Sequence, residues 1–242
     1  MQIDALAMRM RPRSAMEAAD LGVRLCQSAA RQVYRCYWLV GIPVVALCLA
    51  TYDIAGWLPG LLIWWSKPWL DRTILFVLSR AAFGQATTIA DLLHAQRRVW
   101  WSQLFLSLTT RRLSPWRSFT QSVYQLEGLP LLASRKRVLQ LRRGRTTPAT
   151  LMTGAFSVAE TVLTAAVVSL IFWFTPGERE TINVFAPGTL ASLAVPMAFA
   201  YALVVLFLEP FYVAAGFAMY LNRRAQLEAW DIEQELRRAF QT

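Results

Sequence analysis

Five charged side chains interrupt otherwise apolar stretches of this sequence, and they are the candidates for chemistry. They are Lys67, Asp71, Arg72, Glu160 and Glu209. An ionised carboxylate such as Glu160, near the middle of an apolar helix, costs roughly 2.5 kcal/mol or more to insert into a membrane. We therefore expect Glu160 to be protonated or paired with Lys67 or Arg72. The side chain would then serve either as a proton or ion relay or as a polar latch between helices.

Two of these charges fall on one helical face. Lys67 and Asp71 are four residues apart, so they could neutralise each other if Pro68 leaves the helical turn intact. Residues 64–72 contain three tryptophans, one proline and three charges. This composition predicts that 58–83 forms a kinked, broken or re-entrant helix whose charges face protein or water rather than lipid.

After Lys67-Pro68, a second of the five charged residues is followed directly by proline, at Glu209-Pro210. This pair resembles the breaks in discontinuous transporter helices, and Lys67-Pro68 is the candidate partner break. The sequences around the two pairs do not match as inverted repeats. The alternative is a structural kink near the cytoplasmic interface. In both cases the sequence predicts that the helix breaks at Glu209-Pro210.

The composition indicates that membrane helices hold these charges. Of the 242 residues, 56% are hydrophobic and 17% are charged, against about 45–50% and 25% in soluble domains. The chain is also strongly basic, with 25 basic and 15 acidic residues and a net charge of +10. A chain that is both apolar and basic fits a multi-pass membrane protein whose cations lie at the headgroups, rather than a soluble globule or a secreted disulfide scaffold.

Four apolar stretches have the length and composition of membrane crossings, at 37–52, 58–83, 149–174 and 187–208. The predicted fold is all-α, a transmembrane bundle of about four crossings with amphipathic N-terminal, central and C-terminal cytoplasmic helices. It forms one membrane domain. Its parts are an N-terminal helix at 1–36, a helical pair at 37–83, a basic segment at 84–148, a second pair at 149–221 and a C-terminal helix at 222–242.

The two ends of the chain predict amphipathic helices. Ser14 and Glu17 form a capping box at the start of the first one. Its apolar stripe consists of Met16, Ala19, Val23, Cys26, Ala30 and Val33. That helix would lie on the cytoplasmic surface or dock under the bundle, or be an ordinary solvent-facing helix. No apolar stretch follows the N-terminus at signal-peptide distance, so we expect no cleaved signal. In the last helix, Glu233 precedes Arg237 by four residues, the favourable order for an ion pair.

Residues 96–146 of the basic segment carry an excess of positive charge of +10, equal to that of the whole chain. Its eleven cations are Arg97, Arg98, Arg111, Arg112, Arg117, Arg135, Lys136, Arg137, Arg142, Arg143 and Arg145. The only acidic residue at 96–146 is Glu127. We expect helices near 89–108 and 118–129. The cations would bind anionic headgroups or an acidic partner, whereas nucleic acid is not the expected ligand. The positive-inside rule places both termini and this segment in the cytoplasm, which requires four crossings. If 58–83 were re-entrant instead, this segment would lie on the wrong side of the membrane unless the first apolar stretch were also a hairpin.

The sequence carries no recognisable catalytic or metal motif. His94 is the only histidine, and Cys26, Cys36 and Cys48 lack C-x-x-C spacing, so no zinc site is expected. No G-x-S-x-G, Walker A, H-E-x-x-H or dinucleotide fingerprint occurs. We therefore predict no enzymatic activity and no cofactor.

Several stretches together resemble an uncharacterised family of proteobacterial inner-membrane proteins. They are residues 64–72, 78–84, 111–119, 125–128 and 209–224, and the last of them, continued to 232, is the most specific. The family occurs in gene clusters that also encode MoxR-type AAA+ ATPases, von Willebrand A-domain proteins and transglutaminase-like membrane proteins. The resemblance implies a role beside such partners and supplies no catalytic residues.

Two functions follow from these observations. The first is a non-catalytic scaffold or assembly subunit of the bacterial inner membrane, which docks partner proteins, such as an AAA+ ATPase, or anionic lipid through its arginine-rich face. The alternative is a small transporter or lipid-handling protein in which the five intramembrane charges line a cavity. A dry, tightly packed bundle around Glu160 would favour the scaffold, whereas reconstituted flux, or a trapped lipid or ion near Glu160, would favour the alternative.

Overall fold

The computed structural model of the chain describes residues 13–101, 108–109, 114–144, 146–174 and 189–228. These residues form helices and no strands, in agreement with the predicted all-α class. The helices are α1 (Ala15–Ser28), α2 (Ala30–Leu49), α3 (Leu58–Ala81), α4 (Ile89–His94), α5 (Arg117–Leu126), α6 (Leu131–Arg142), α7 (Thr146–Phe174) and α8 (Thr189–Glu228). A 3₁₀ turn at Ala50–Asp53 follows α2, and one π-helical turn lies at Arg97–Trp101.

Three of the described helical stretches are long and apolar enough to cross a membrane. They are Ala30–Asp53, Thr146–Phe174 and Leu193–Glu228. The predicted second crossing, α3, is not among them. Lys67, Asp71, Arg72 and Arg80 lower its apolar character. α3 nevertheless packs along α2, to which the short segment 50–57 connects it.

The N-terminal helix begins as predicted but ends earlier. The capping box is confirmed, because the Glu17 N–H donates to Ser14 Oγ and the Ser14 N–H donates to the Glu17 carboxylate, each at 3.2 Å. α1 stops at Ser28, and α2 starts at Ala30 instead of near Tyr37. Ala29 therefore separates the two helices.

α1 docks against the C-terminal half of α8. Its buried face consists of Ala15, Ala18, Ala19, Gly22, Leu25 and Cys26. Met16, a member of the predicted apolar stripe, is 43% exposed instead. The contact at Gly22 is so close that an added Cβ would lie 2.2 Å from the carbonyl oxygen of Ala214. Small residues allow this close approach of two helix backbones.

The prediction of a break at Glu209-Pro210 is wrong, because α8 continues through Pro210 to Glu228. Proline has no N–H, so the carbonyl of Leu206 loses its helical partner. The indole N–H of Trp38 on α2 donates to that carbonyl at 3.2 Å. An unsatisfied carbonyl that faces lipid rather than water is costly, and this side chain supplies the missing donor.

Two tyrosines of α2 reinforce the same region of α8. The hydroxyl of Tyr34 donates to the Phe207 carbonyl at 2.7 Å, and that of Tyr37 donates to the Val205 carbonyl at 3.4 Å. Of the alternatives predicted for 58–83, the broken helix is wrong, since α3 is one continuous helix through Pro68.

The two halves of α8 have different surroundings. Toward its N-terminus, Val195, Phe199, Leu203 and Phe207 are exposed, as expected for a lipid-facing surface. Toward its C-terminus, residues 212–221 are buried among α1, α3, α5 and α7. Most of α7 is exposed and apolar as well. The main core therefore lies at one end of the bundle, and the lipid-facing helices extend from it.

The central segment contains helices near both predicted positions. Where one helix was expected at 89–108, α4 ends at His94 and the π-helical turn at Arg97–Trp101 follows, and 102–107 lie outside the described residues. The helix expected at 118–129 is α5, and the unpredicted α6 follows it. The predicted Glu233–Arg237 pair lies outside the described residues.

Candidate functional site: a buried ionic network beside a groove

Four of the charged residues predicted to lie inside the membrane belong to one buried network. The ammonium of Lys67 on α3 lies 2.7 Å from Glu160 Oε2 on α7 and 2.7 Å from Glu209 Oε2 on α8. The network therefore joins three helices at the level of Lys67, and Asp71 is its fourth member. Of the two basic partners considered for Glu160, the structure pairs it with Lys67.

Arg117 of α5 extends the network on the other side of Glu209. Its terminal nitrogen lies 2.7 Å from Glu209 Oε1, and its Nε lies 3.1 Å from Asp71 Oδ2. Its guanidinium also lies 5.3 Å from the ring centre of Tyr212, a cation–π contact. Burial opposes the charge of Arg117, but Asp71 and its other anionic neighbours outweigh this effect and raise its pKa.

The predicted Lys67–Asp71 pair is not formed, although α3 is intact at Pro68. Each of the two side chains pairs with a different helix, Lys67 with α7 and α8 and Asp71 with α5. An i, i+4 pair would satisfy only the charges of one helix. The pairing with other helices also satisfies Glu160, Glu209 and Arg117, which have to be neutralised because they are largely removed from water.

The prediction for Arg117 is wrong, because it placed this residue among the cations that bind partners or lipid at the surface. The residue is 6% exposed and paired inside the bundle. The charge balance of the apolar segments gave no signal for this role, because Lys67, Arg72 and Arg80 there already equal the three carboxylates in number. That one of the eleven cations of the basic segment is buried among them is seen only in the structure.

Arg72 lies beside the network and lines a separate, smaller cavity. It is buried, and it lines a small polar cavity with Pro68, Arg117 and residues of α5. The cavity has a volume of about 20 Å³, enough for a single water molecule. Gln121 and Gln125 of α5 close it by donating to the carbonyls of Pro68 and Arg72, at 3.1 and 2.8 Å.

The network has one carboxylate more than its cations can balance. Asp71, Glu209 and Glu160 alternate with Arg117 and Lys67, so a carboxylate stands at each end. Asp71 is fully buried, whereas the side chain of Glu160 is 18% exposed. Glu160 Oε2 binds Lys67, and among the described residues Glu160 Oε1 has no hydrogen-bond donor. The end at Glu160 is the accessible one.

Glu160 opens onto a large groove between α3, α7 and α8. The groove has a volume of about 1570 Å³, larger than the roughly 300–1,000 Å³ of pockets for drug-sized ligands. Lys67, Glu160, Glu209 and Tyr212 line one end. Apolar residues line most of the rest, among them Trp57, Leu61, Trp64, Leu193, Ala194 and Met197. From Tyr212 to Leu193 the groove follows α8 for about 28 Å at 1.5 Å per residue.

The remaining cations of the basic segment have two kinds of surroundings. Arg97, Arg135, Lys136 and Arg143 are exposed. Arg137 is ion-paired with Glu127 and Glu228, and the guanidinium of Arg142 stacks 3.7 Å above the ring centre of Trp116. The side chain of Arg98, and Arg111, Arg112 and Arg145, lie outside the described part of the chain.

The described ranges contain no group of three or more His, Cys, Asp or Glu residues that could hold a metal ion. Cys26, Cys36 and Cys48 are buried free thiols. Burial raises the pKa of Cys26, on α1, to about 12. A thiol in this environment stays protonated and unreactive at neutral pH.

No protein-family model, no curated protein and no solved structure matches this chain.

Proposed function

We propose that this membrane protein binds a lipid in the groove between α3, α7 and α8. The observation that carries the proposal is the open space of about 1570 Å³ beside Glu160, with a charged end and long apolar walls. A lipid has the matching division into a polar head and apolar chains. A tightly packed bundle around Glu160 would have favoured a scaffold alone.

We further propose that the protein resides in the bacterial inner membrane with four crossings and both termini in the cytoplasm. Support comes from the packing of α3 along α2, which makes the two helices a hairpin. If α2 crosses the membrane, α3 crosses it again in the opposite direction. The charges of α3 do not face lipid, since Lys67, Asp71 and Arg72 are buried in protein. The exposed cations of α6 then lie on the cytoplasmic side.

Two glycines provide a matched test of the groove. Gly60 lines the groove on α3, and Gly154 on α7 is exposed and is not part of its lining. A Cβ at either position would meet no atom within 4 Å. Gly60→Phe should therefore project a ring into the apolar part of the groove, where the acyl chain would lie, and Gly154→Phe should place the same side chain outside it.

The measurement is the number of lipids retained by the protein after release from bilayers, counted by native mass spectrometry. We expect wild-type protein and Gly154→Phe to retain a lipid and Gly60→Phe to lose it. Equal lipid retention by Gly60→Phe and Gly154→Phe would overturn the proposed site.

A second candidate function is partner docking through the basic segment. The observation that favours it is the exposure of Arg97, Arg135, Lys136 and Arg143, for which the described residues provide no ion pair. The resemblance to the inner-membrane family suggests an AAA+ ATPase as one partner, and anionic lipid is another. Replacing Arg135, Lys136 and Arg143 with glutamate should abolish co-purification of the partner while membrane insertion persists. Unchanged co-purification would remove this function.

A further inference from the structure

We infer that the lipid in the groove carries a primary ammonium group that binds Glu160. The inference rests on the proposed lipid groove and specifies the chemistry of its occupant. It follows from the charge of the groove, from the free oxygen of Glu160 and from the position of both at one end of an apolar channel.

The charge of the groove favours a cation. At the end beside Glu160 its charged lining residues are Lys67, Glu160 and Glu209, one cation and two acids, and Asp53 lines the groove near Trp57. The arginine beyond Glu209 does not reverse this balance, because Arg117 is shared between Glu209 and Asp71. A headgroup that ends in a negative charge would be repelled here, and one that ends in a positive charge would be attracted.

The geometry at Glu160 provides an acceptor for that charge. Lys67 occupies Oε2, and Oε1 has no donor among the residues that the structure describes. Ser157 precedes Glu160 by three residues, so the two are neighbours on the helix surface, and it lines the same groove. An ammonium has three N–H donors, and the free carboxylate oxygen and the hydroxyl of Ser157 can accept two of them.

A primary ammonium fits this end of the groove better than a quaternary one. Quaternary ammonium groups are recognised mainly by the faces of aromatic rings. Two aromatic rings line the charged end, and both are already in contact: Tyr212 with the guanidinium of Arg117, and Phe156 edge-on with Tyr212. A carboxylate oxygen instead favours a group that can donate hydrogen bonds.

The proposed orientation follows from the shape of the groove. With the headgroup at Glu160, the acyl chain extends toward Trp57 and Ala194 along the apolar walls of α3 and α8. Glu160 is about 14 Å along α7 from Leu151, the first exposed apolar residue of that helix, and about 21 Å from Phe174. The headgroup therefore lies closer to the end of the bundle where the basic segment is found.

The test uses three lysophospholipids with the same acyl chain, whose headgroups end in ethanolamine, choline or glycerol. Each is added to the full-length protein, and its retention is compared by native mass spectrometry. We expect wild-type protein to retain the ethanolamine lipid with about tenfold higher affinity than the glycerol lipid, and to bind the choline lipid more weakly than the ethanolamine lipid.

Glu160→Gln should remove this preference, whereas Thr161→Val should keep it, because Thr161 lines the same groove without a charge. Glu160→Gln leaves Lys67 paired with Glu209, so the network retains a carboxylate for its ammonium. The relative affinities of wild-type protein for the three lipids test the ammonium preference even without a variant. Equal retention of the three lipids, stronger retention of the glycerol lipid, or a preference that persists in Glu160→Gln would overturn the inference.

Failure of this inference is distinguishable from failure of the groove. If all three lipids bind wild-type protein equally and Gly60→Phe excludes them, the groove stands and the ammonium preference is wrong. If Gly60→Phe binds every lipid as wild-type protein does, the groove itself is wrong, and the inference falls with it.

Discussion

The carboxylate of Glu209 bridges Lys67 and Arg117, with one oxygen 2.7 Å from each cation. It is the central member of the network and is almost fully buried. Two cations from different helices thus contact one side chain of α8. We therefore expect the substitution of Glu209 to lower the stability of the protein more than the substitution of Glu160.

Glu209→Gln should destabilise the protein more than the neutral substitution of either other carboxylate in the network. It removes one charged contact from each of two buried cations, which leaves Lys67 with Glu160 alone and Arg117 with Asp71 alone, and each charged hydrogen bond is worth about 1.5–3 kcal/mol. Glu160→Gln should cost about 1.5 kcal/mol, because Lys67 keeps Glu209 and Glu160 is at the accessible edge. Unfolding in detergent, followed by tryptophan fluorescence, measures both. A larger loss in Glu160→Gln would contradict this ranking.

Trp38 and Pro210 should be energetically coupled. Trp38→Phe removes the donor to the Leu206 carbonyl and should cost about 1 kcal/mol. In a Pro210→Ala background, the backbone N–H of the introduced alanine restores the helical hydrogen bond to Leu206, so the same substitution should cost less. A double-mutant cycle of unfolding free energies isolates this difference. Additive effects would show that Trp38 does not replace the hydrogen bond missing at Pro210.

Gly22→Ala should displace α1 from α8. The new Cβ would lie 2.2 Å from the Ala214 carbonyl oxygen, and backbone atoms on both helices would have to move. Overpacking of this kind typically costs about 1–3 kcal/mol or more. Gly154→Ala is the control, because no atom lies within 4 Å of its Cβ and alanine favours the helix. Thermal unfolding should show a lower midpoint in Gly22→Ala only; equal midpoints would argue against this tight contact.

Engineered cysteines should report the proposed topology in an otherwise unchanged chain. The three native thiols are buried, so they should not react with a membrane-impermeant maleimide until the protein is unfolded. Asp53→Cys in the α2–α3 connection and Lys136→Cys on α6 should react from opposite sides of the membrane, since both positions are exposed. Unfolding in denaturing detergent provides the positive control for the native thiols. Labelling of both positions from one side would exclude the four-crossing arrangement.

Local features of the fold could be predicted from the sequence because they depend on residues close together in the chain. The capping box at Ser14 requires only Glu17, three residues later. The apolar lengths of α2, α7 and α8 are likewise properties of continuous segments. The expectation that Glu160 is either protonated or paired with a cation follows from the cost of a charge in an apolar helix, without knowledge of its neighbours.

The tertiary structure alone decided which partners these charges have and whether the helices continue past their prolines. Lys67 pairs with α7 and α8 instead of Asp71 because folding brings Glu160 and Glu209 to it from far along the chain. α8 passes Pro210 intact because Trp38, remote in sequence, donates to the freed carbonyl. The groove is likewise the space between three helices, and no single segment encodes it. Local patterns specify helices and the need for neutralisation, whereas partners and cavities depend on how distant segments pack together.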